Sequence, residues 1–433
     1  MQKSFIVVVL LSSALACGPN VPKTLGMVAA DEVSLSESEV LGYLYQALGR
    51  DMSVADLFYE PEISFERAPD PSELFATRAE AARALAPPSA ARPLRVLSYN
   101  VGLLDQPMAL GFIGNISVPE VEARRSQAPR LVYERGYDIL LLQELWEEYE
   151  LDLFRVAAGE YGYRFYGGTD QHHSGHGLAI AVKEELFGPD SEEEAQHEIL
   201  FEIQNDLETF PGPGWRRGYL LWRFVTPEGV PLRLYNTHTT ANFAFLREGR
   251  TRMAQARELG LAIATVPSDE VVIAGGDLNG GAYYHRDVWQ NPDDSETGGW
   301  WAQAVSYPLL MHYGGLHDMF TERHPEADVE LGALVVNNPA QALDHPQASP
   351  GYCERTPHLA FTYSECNKLV WMQGRGDGPP DRLDYLLYRP GDVQLHVVRV
   401  ETVFTERFDF PGAGTFELSD HYGVLADLRL AIP

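Results

Sequence analysis

From Leu94 onward the chain is built of short apolar runs, each meeting a cluster of polar residues. They are "LRVLSYN", "DILLLQE", "GLAIAVK", "GYLLWRFV", "LRLYNTHT", "EVVIAGGDLN", "RLDYLLYR", "LHVVRVETV" and "GVLADLRL". Runs of this length read as strands, several of them buried on both faces. Helical spacing appears between some of them, in "EVEARRSQAPRLVYERG" and "EGRTRMAQARELGLAIATV". Many strands with fewer helices can bury their apolar faces as two packed sheets with helices outside, a layered α/β sandwich. An apolar content of 45% in 433 residues supplies the core such an architecture needs.

The first 92 residues have a different texture. "MQKSFIVVVLLSSALACGPN" has Lys3 before an apolar stretch from Phe5 to Leu11, then small residues before Cys17. This is the layout of a targeting segment, too short for a comfortable membrane span. It resembles a bacterial lipoprotein signal, although Ala14 stands where that pattern prefers a branched apolar residue. The resemblance implies cleavage after residue 16, lipidation of Cys17 and, with Gly18 next, no retention in the inner membrane; a plain secretory signal is the alternative. Residues 17–92 read as a helical extension and linker. Ser36 and Glu39 form a capping box before Val40, Leu41, Leu44 and Leu48, and an Ala-rich helix ends at Pro87-Pro88. Residues 93–433 form the main domain. In an oxidising compartment Cys353 and Cys366 can bridge, which would stabilise the fold by about 3 kcal/mol in the chain-entropy model.

The polar clusters carry the chemistry. Strand ends deliver Asn100, then Gln143 with Glu144, Asn236 with His238, Asp277 with Asn279, Asp384, and Asp420 with His421. Each has an ordinary reading alone: Asn100 and Asn279 as turn residues, Glu144 as a solvated helix start, His238 as a bonded core histidine, Asp384 paired with Arg382, Asp420 as a cap. Together they supply carboxylates for a hard cation, imidazoles for proton transfer and amides for phosphate oxygens, provided the strand ends converge.

The order "SYN…LQE…NTH…GDLN…RLDY…SDH" resembles the endonuclease/exonuclease/phosphatase superfamily, the fold of DNase I. Within it, "LRVLSYNVGLL", "LLLQELWE", "WRRGYLL", "YNTHTTANF", "YPLLMHYGGLHDMFTERHP" and "TYSECNKL" look most like neutral sphingomyelinases, which are phospholipase C-type enzymes. The resemblance implies a four-layer α/β/β/α sandwich. It also implies a Mg²⁺ ion (Mn²⁺ or Ca²⁺ as alternatives) on Glu144, with Asn100 beside it and Asp420 near it. His421 would activate water, oriented by Asp384; Asp277 shares the claim to be the base. Asp277 and Asn279 would orient nucleophile and phosphate, and His238 would donate to a phosphate oxygen. The chain departs from the pattern at "GLAIAVKEELFG", which lacks a Pro-Ile pair, and at Thr239, where Leu is usual.

The implied activity is hydrolysis of a phosphodiester of sphingomyelin or a related phospholipid by an exported enzyme, at the outer membrane, on the cell surface or secreted. Tyr283, Tyr284, Trp300 and Trp301 would cage a quaternary ammonium or dip into a membrane interface, or simply pack. A DNase I-like nuclease is the second reading, with Arg216, Arg217, Arg247, Arg250 and Arg252 as a local basic patch. A net charge of −29 argues against tight binding of duplex nucleic acid. A phosphatase, or a lipid-anchored binding protein without turnover, would also fit the fold.

Overall fold

The computed structural model describes residues 91–105, 117–167, 176–189, 191, 195–204, 216–241, 248–280, 303–324, 361–364, 366–373, 382–389 and 391–431. The stretch expected as a targeting segment, the expected helical extension as far as residue 90, Cys353, Tyr283, Tyr284, Trp300 and Trp301 lie outside them; Ala91 and Arg92, expected in the linker, open β1 instead. Cys366 is disulfide-bonded.

In chain order the elements are β1 (Ala91–Asn100), α1 (Val121–Arg125), α2 (Ala128–Tyr133), β2 (Ile139–Gln143), α3 (Glu148–Glu160), β3 (Tyr163–Gly167), β4 (Ala179–Lys183), β5 (Ala195–Leu200), β6 (Gly218–Val225) and β7 (Pro231–His238). There follow α4 (Glu248–Ala264), β8 (Val271–Asp277), α5 (Gln303–Gly314), β9 (His317–Asp318), α6 (Met319–Arg323), α7 (Lys368–Met372), β10 (Asp384–Arg389), β11 (Leu395–Val403), β12 (Arg407–Phe410), β13 (Gly414–Glu417) and β14 (Gly423–Ala431). Every apolar run singled out in the sequence is a strand. The stretch expected as one helix, 120–136, is two. Pro129 has no N–H to give to Arg125, so the chain tightens at Ser126-Gln127 and restarts.

Two six-stranded sheets form, in the orders β11-β14-β1-β2-β4-β3 and β5-β6-β7-β8-β10-β9. Each is antiparallel except for one central parallel pair, β1 with β2 and β7 with β8. Side-chain alternation divides every strand between two environments. Leu94 and Val96, Ile139 and Leu141, and Ile180 and Val182 face Trp222, Leu232, Leu234, Val271, Ile273 and Leu386 across the gap between the sheets. The opposite parity of the first sheet, Leu97, Tyr99, Leu140 and Leu142, packs with Val132, Tyr133 and Phe154 of α2 and α3. That of the second, Tyr235, Val272, Ala274 and Leu387, packs with Met253, Leu259, Leu309 and Leu310 of α4 and α5. The result is the expected helix–sheet–sheet–helix sandwich.

The "GGD" that ends β8 is dictated by closeness. A Cβ at Gly276 would lie 1.9 Å from the Thr237 carbonyl oxygen, and its φ of +143° suits only glycine. Gly276→Ala is expected to force β8 off β7 and destabilise the protein by at least ~3 kcal/mol, read as a lower midpoint in urea. A midpoint equal to wild type would contradict this packing.

Candidate active site

The face that β1, β2, β7, β8 and β10 turn to the inter-sheet gap is apolar along its length and polar at one end. On β1 it runs Leu94, Val96, Ser98, Asn100; on β2 Ile139, Leu141, Gln143; on β7 Leu232, Leu234, Asn236, His238; on β8 Val271, Ile273, Gly275, Asp277. Strand β10 runs the other way and starts with Asp384. Register then makes these ends neighbours. Asn100 pairs with Gln143 in one sheet, and His238 pairs with Asp277, which pairs with Asp384, in the other.

Hydrogen bonds join the two rows across the gap. Asn100 Nδ2 donates to Asp277 Oδ2 at 3.0 Å, and Gln143 Nε2 donates to Asn236 Oδ1 at 2.7 Å. Asn236 Nδ2 in turn donates to the carbonyls of Leu142 and Ala179. Asp277 is the hub of the site. Its Oδ2 lies 3.4 Å from His238 Nε2 and 3.9 Å from His421 Nε2, and its Oδ1 accepts the Asn279 N–H at 2.8 Å. His421 Nδ1 meets Asp384 Oδ2 at 2.8 Å. Asn279 sits in the left-handed region, φ 44°, and its amide donates to the Thr239 carbonyl.

Asp420 closes the other side. Gln373 Nε2 donates to its Oδ2, and Ser419 Oγ bonds both its Oδ1 and the Asn100 carbonyl. Gly102, φ +58°, is glycine because a Cβ there would stand 2.4 Å from Asp420 Oδ1. The fully buried Arg124 clamps this corner, donating to the carbonyls of Pro119, Val101, Gly102 and Leu418.

All eight residues expected from the sequence therefore gather at one end of the sandwich. Asp384 pairs with His421, whereas Arg382 pairs with Asp318 and stacks on Tyr385. Glu144 is held at φ 62°, before α3 begins, rather than starting that helix. Its Oε2 is buried with no hydrogen-bond partner among the described residues, as is Asp384 Oδ1. Ligand atoms of Glu144, His238 and Asp277 lie within 4.8 Å of one another. The donor-less Glu144 oxygen, in a group whose ligand atoms lie this close, fits a divalent cation. Asn100 was expected beside that ion; its Oδ1 here accepts the Gly102 N–H.

A family model described as "Endonuclease/Exonuclease/phosphatase family" matches residues 97–421. The chain belongs to the endonuclease/exonuclease/phosphatase family. Members of this family hydrolyse phosphodiesters or phosphate esters. Among solved structures, sphingomyelinase C from Streptomyces griseocarneus is 18% identical, with TM-score 0.47, covering 78% of this chain and 99% of that one. D. rerio TDP2 complexed with single strand DNA product is 17% identical, TM-score 0.48, covering 78% and 98%. Beta toxin from Staphylococcus aureus is 16% identical, TM-score 0.47, covering 77% and 99%. No curated protein matches the sequence.

The electrostatics of this family member separate its two site histidines. Burial pulls the His421 pKa down, but Asp384, Asp277 and Asp420 outweigh it and hold the group well above its ordinary value. Burial, then the charges of Arg217 and His421, push His238 well below. Burial and Asp420 raise Glu144 to about 7, against the pull of His421 and an Asn100 hydrogen bond. Burial and Asp384 raise Asp277 to about 6. Groups driven apart in this way can hold and accept protons at one pH. Sequence reading gave no role to Trp146, whose ring lies 5.7 Å from that of His238 and 5.2 Å from the Arg217 guanidinium. Nor did it find Arg124 or Gln373, whose contacts exist only through the fold. In the protein without added metal, imidazole NMR at pH 6.5 is expected to show His421 as imidazolium and His238 neutral. Two histidines titrating together near 6.5 would contradict the described contacts.

Proposed function

We propose that this protein is an exported, metal-dependent phosphodiesterase that cleaves the headgroup phosphodiester of sphingomyelin or a related choline phospholipid by in-line attack of water. The observation that carries the hydrolytic reading is the line Asp384–His421–Asp277, flanked by His238 and Glu144 at one end of the inter-sheet core. Asp384 fixes the tautomer and orientation of His421, so that Nε2 faces Asp277. The pair takes up the proton of the attacking water as one coupled system. His238 offers an N–H to a phosphoryl oxygen, and Asn279 stands beside it to orient the same group. Glu144, with Asn100 and Asp420 near it, would hold Mg²⁺ (Mn²⁺ and Ca²⁺ being the alternatives), and the ion would supply positive charge against the phosphoryl oxygens.

Three observations favour a lipid over nucleic acid. The net charge is −29. Of the arginines that would form a basic patch, Arg217 and Arg252 are buried, and Arg252 donates to the Thr240 carbonyl. Trp371 and Met372 are exposed beside Gln373, the residue that bonds Asp420, and place apolar surface at the rim of the site. The lipoprotein-like signal with Cys17 fits an enzyme tethered near its substrate, outside the inner membrane.

Purified protein in Mg²⁺ is expected to release phosphocholine from sphingomyelin-containing vesicles and to stop in EDTA. His421→Ala and Glu144→Gln are each expected to lower kcat by roughly 10²- to 10⁴-fold. Nicking of plasmid DNA with no phosphocholine release would overturn the lipid assignment and leave the site chemistry standing.

A further inference from the structure

We infer that Thr362 is a positioning residue for hydrolysis, which fixes the Asp384–His421 pair by bonding the backbone of Asp384 and that of Tyr422, the residue next to His421; this rests on the hydrolytic reading of the site. Asp384 is the first residue of β10. On one side β10 pairs with β8 from Asp384 onward, but on the other β9 reaches only Leu387 and Tyr388. Among the described residues the start of β10 thus has no strand on that side. Thr362 takes the place of one. It is fully buried, and its Oγ1 accepts the N–H of Leu383 at 3.0 Å and of Asp384 at 3.1 Å.

The same residue reaches the other half of the pair. The Thr362 carbonyl accepts the Tyr422 N–H at 2.7 Å, and Tyr363 forms an isolated antiparallel bridge with His421. Asp384 and His421 are 37 residues apart in sequence, and no strand ladder among the described residues joins them. Thr362 bonds one backbone with its side chain and the other with its main chain, across a gap that the 2.8 Å His–Asp bond must span. The same segment continues to the site's edge. Asn367 Nδ2 donates to the Ser419 carbonyl and Gln373 Nε2 to Asp420. A displacement of about 1 Å at a reacting group can cost on the order of 10²-fold in rate, so a hydroxyl that sets the backbone position of Asp384 acts on catalysis through the histidine it orients.

The test compares Thr362→Val, which keeps shape and loses the acceptor, with Thr362→Ser, which keeps the acceptor. The substrate is bis(4-nitrophenyl) phosphate in Mg²⁺, so the outcome does not depend on which natural diester is cleaved. The second readout is the proton resonance of His421 Nδ1–H in metal-free protein, which needs no turnover. Thr362→Val is expected to lower kcat roughly 10- to 100-fold with KM within about twofold, and to lose or shift that resonance, while Thr362→Ser stays near wild type in both. Should Thr362→Val not fold, Thr362→Ala carries the same expectation. Wild-type kcat and an unmoved resonance in Thr362→Val would overturn the inference, and so would equal losses in the Ser and Val variants. Were the wild type inactive on the artificial diester, the hydrolytic reading would fall, and the resonance alone would decide whether Thr362 holds the pair.

Discussion

The hydrogen bond from Asn100 to Asp277 joins the two sheets at the point where their shared core stops being apolar. Everything behind it is a close-packed hydrocarbon interface, which a polar group can enter only if it is bonded. At this end the strands spend their inward positions on Asn100, Gln143, Asn236, His238, Asp277 and Asp384, and the inter-sheet bonds donated by Asn100, Gln143 and Asn236 make that tolerable. The architecture therefore does two things with one set of residues. It seals the core, and it leaves carboxylates and imidazoles crowded in a low-dielectric place, where their pKa values are driven apart.

The crowding has a structural cost that the surroundings offset. The buried carboxylates of Asp277, Asp384 and Asp420, with the partly buried Glu144, stand around two histidines, and Glu144 and Asp277 are both displaced toward protonation. Arg124 adds a buried positive charge, held by main-chain carbonyls alone among its described bonds, near Asp420 and Glu144. Such a set is poorly matched to itself and well matched to a cation and a phosphate. Its residual strain is the kind expected where a fold keeps groups ready for chemistry rather than for stability.

Much of this was legible in the sequence because strand parity is local. "LRVLSYN" puts Leu94, Val96, Ser98 and Asn100 on one face by counting alone, and the same holds for "LRLYNTH" and "VVIAGGD". Helices were read less well. Of α3 only a start at Glu144 was read, whereas a Glu147–Glu150 capping box sets it later, and α5 was hidden because its Pro308 reads as a breaker. The short α2 was absorbed into α1 because the apolar spacing continues across the break. Strand β5 carries Gln196, His197 and Glu198 on an edge and lacks the apolar run that marks the others.

In the site, the residue types were readable and the partnerships were not. That Asp384 bonds His421 rather than Arg382 depends on the distance between two strands 37 residues apart in sequence. The place of Thr362 depends on a segment whose sequence has no period, and the partners of Arg124 in α1 and of Gln373 at the end of α7 are set only by the fold. The central claim is that Asp384 and His421 work as one unit in hydrolysis. A double-mutant cycle measures it most directly, with kcat on bis(4-nitrophenyl) phosphate for Asp384→Asn, His421→Ala and the pair. The account predicts that the double variant is about as slow as His421→Ala alone, since Asp384 acts only through the imidazole. Losses that multiply, or an Asp384→Asn enzyme as fast as wild type, would contradict it.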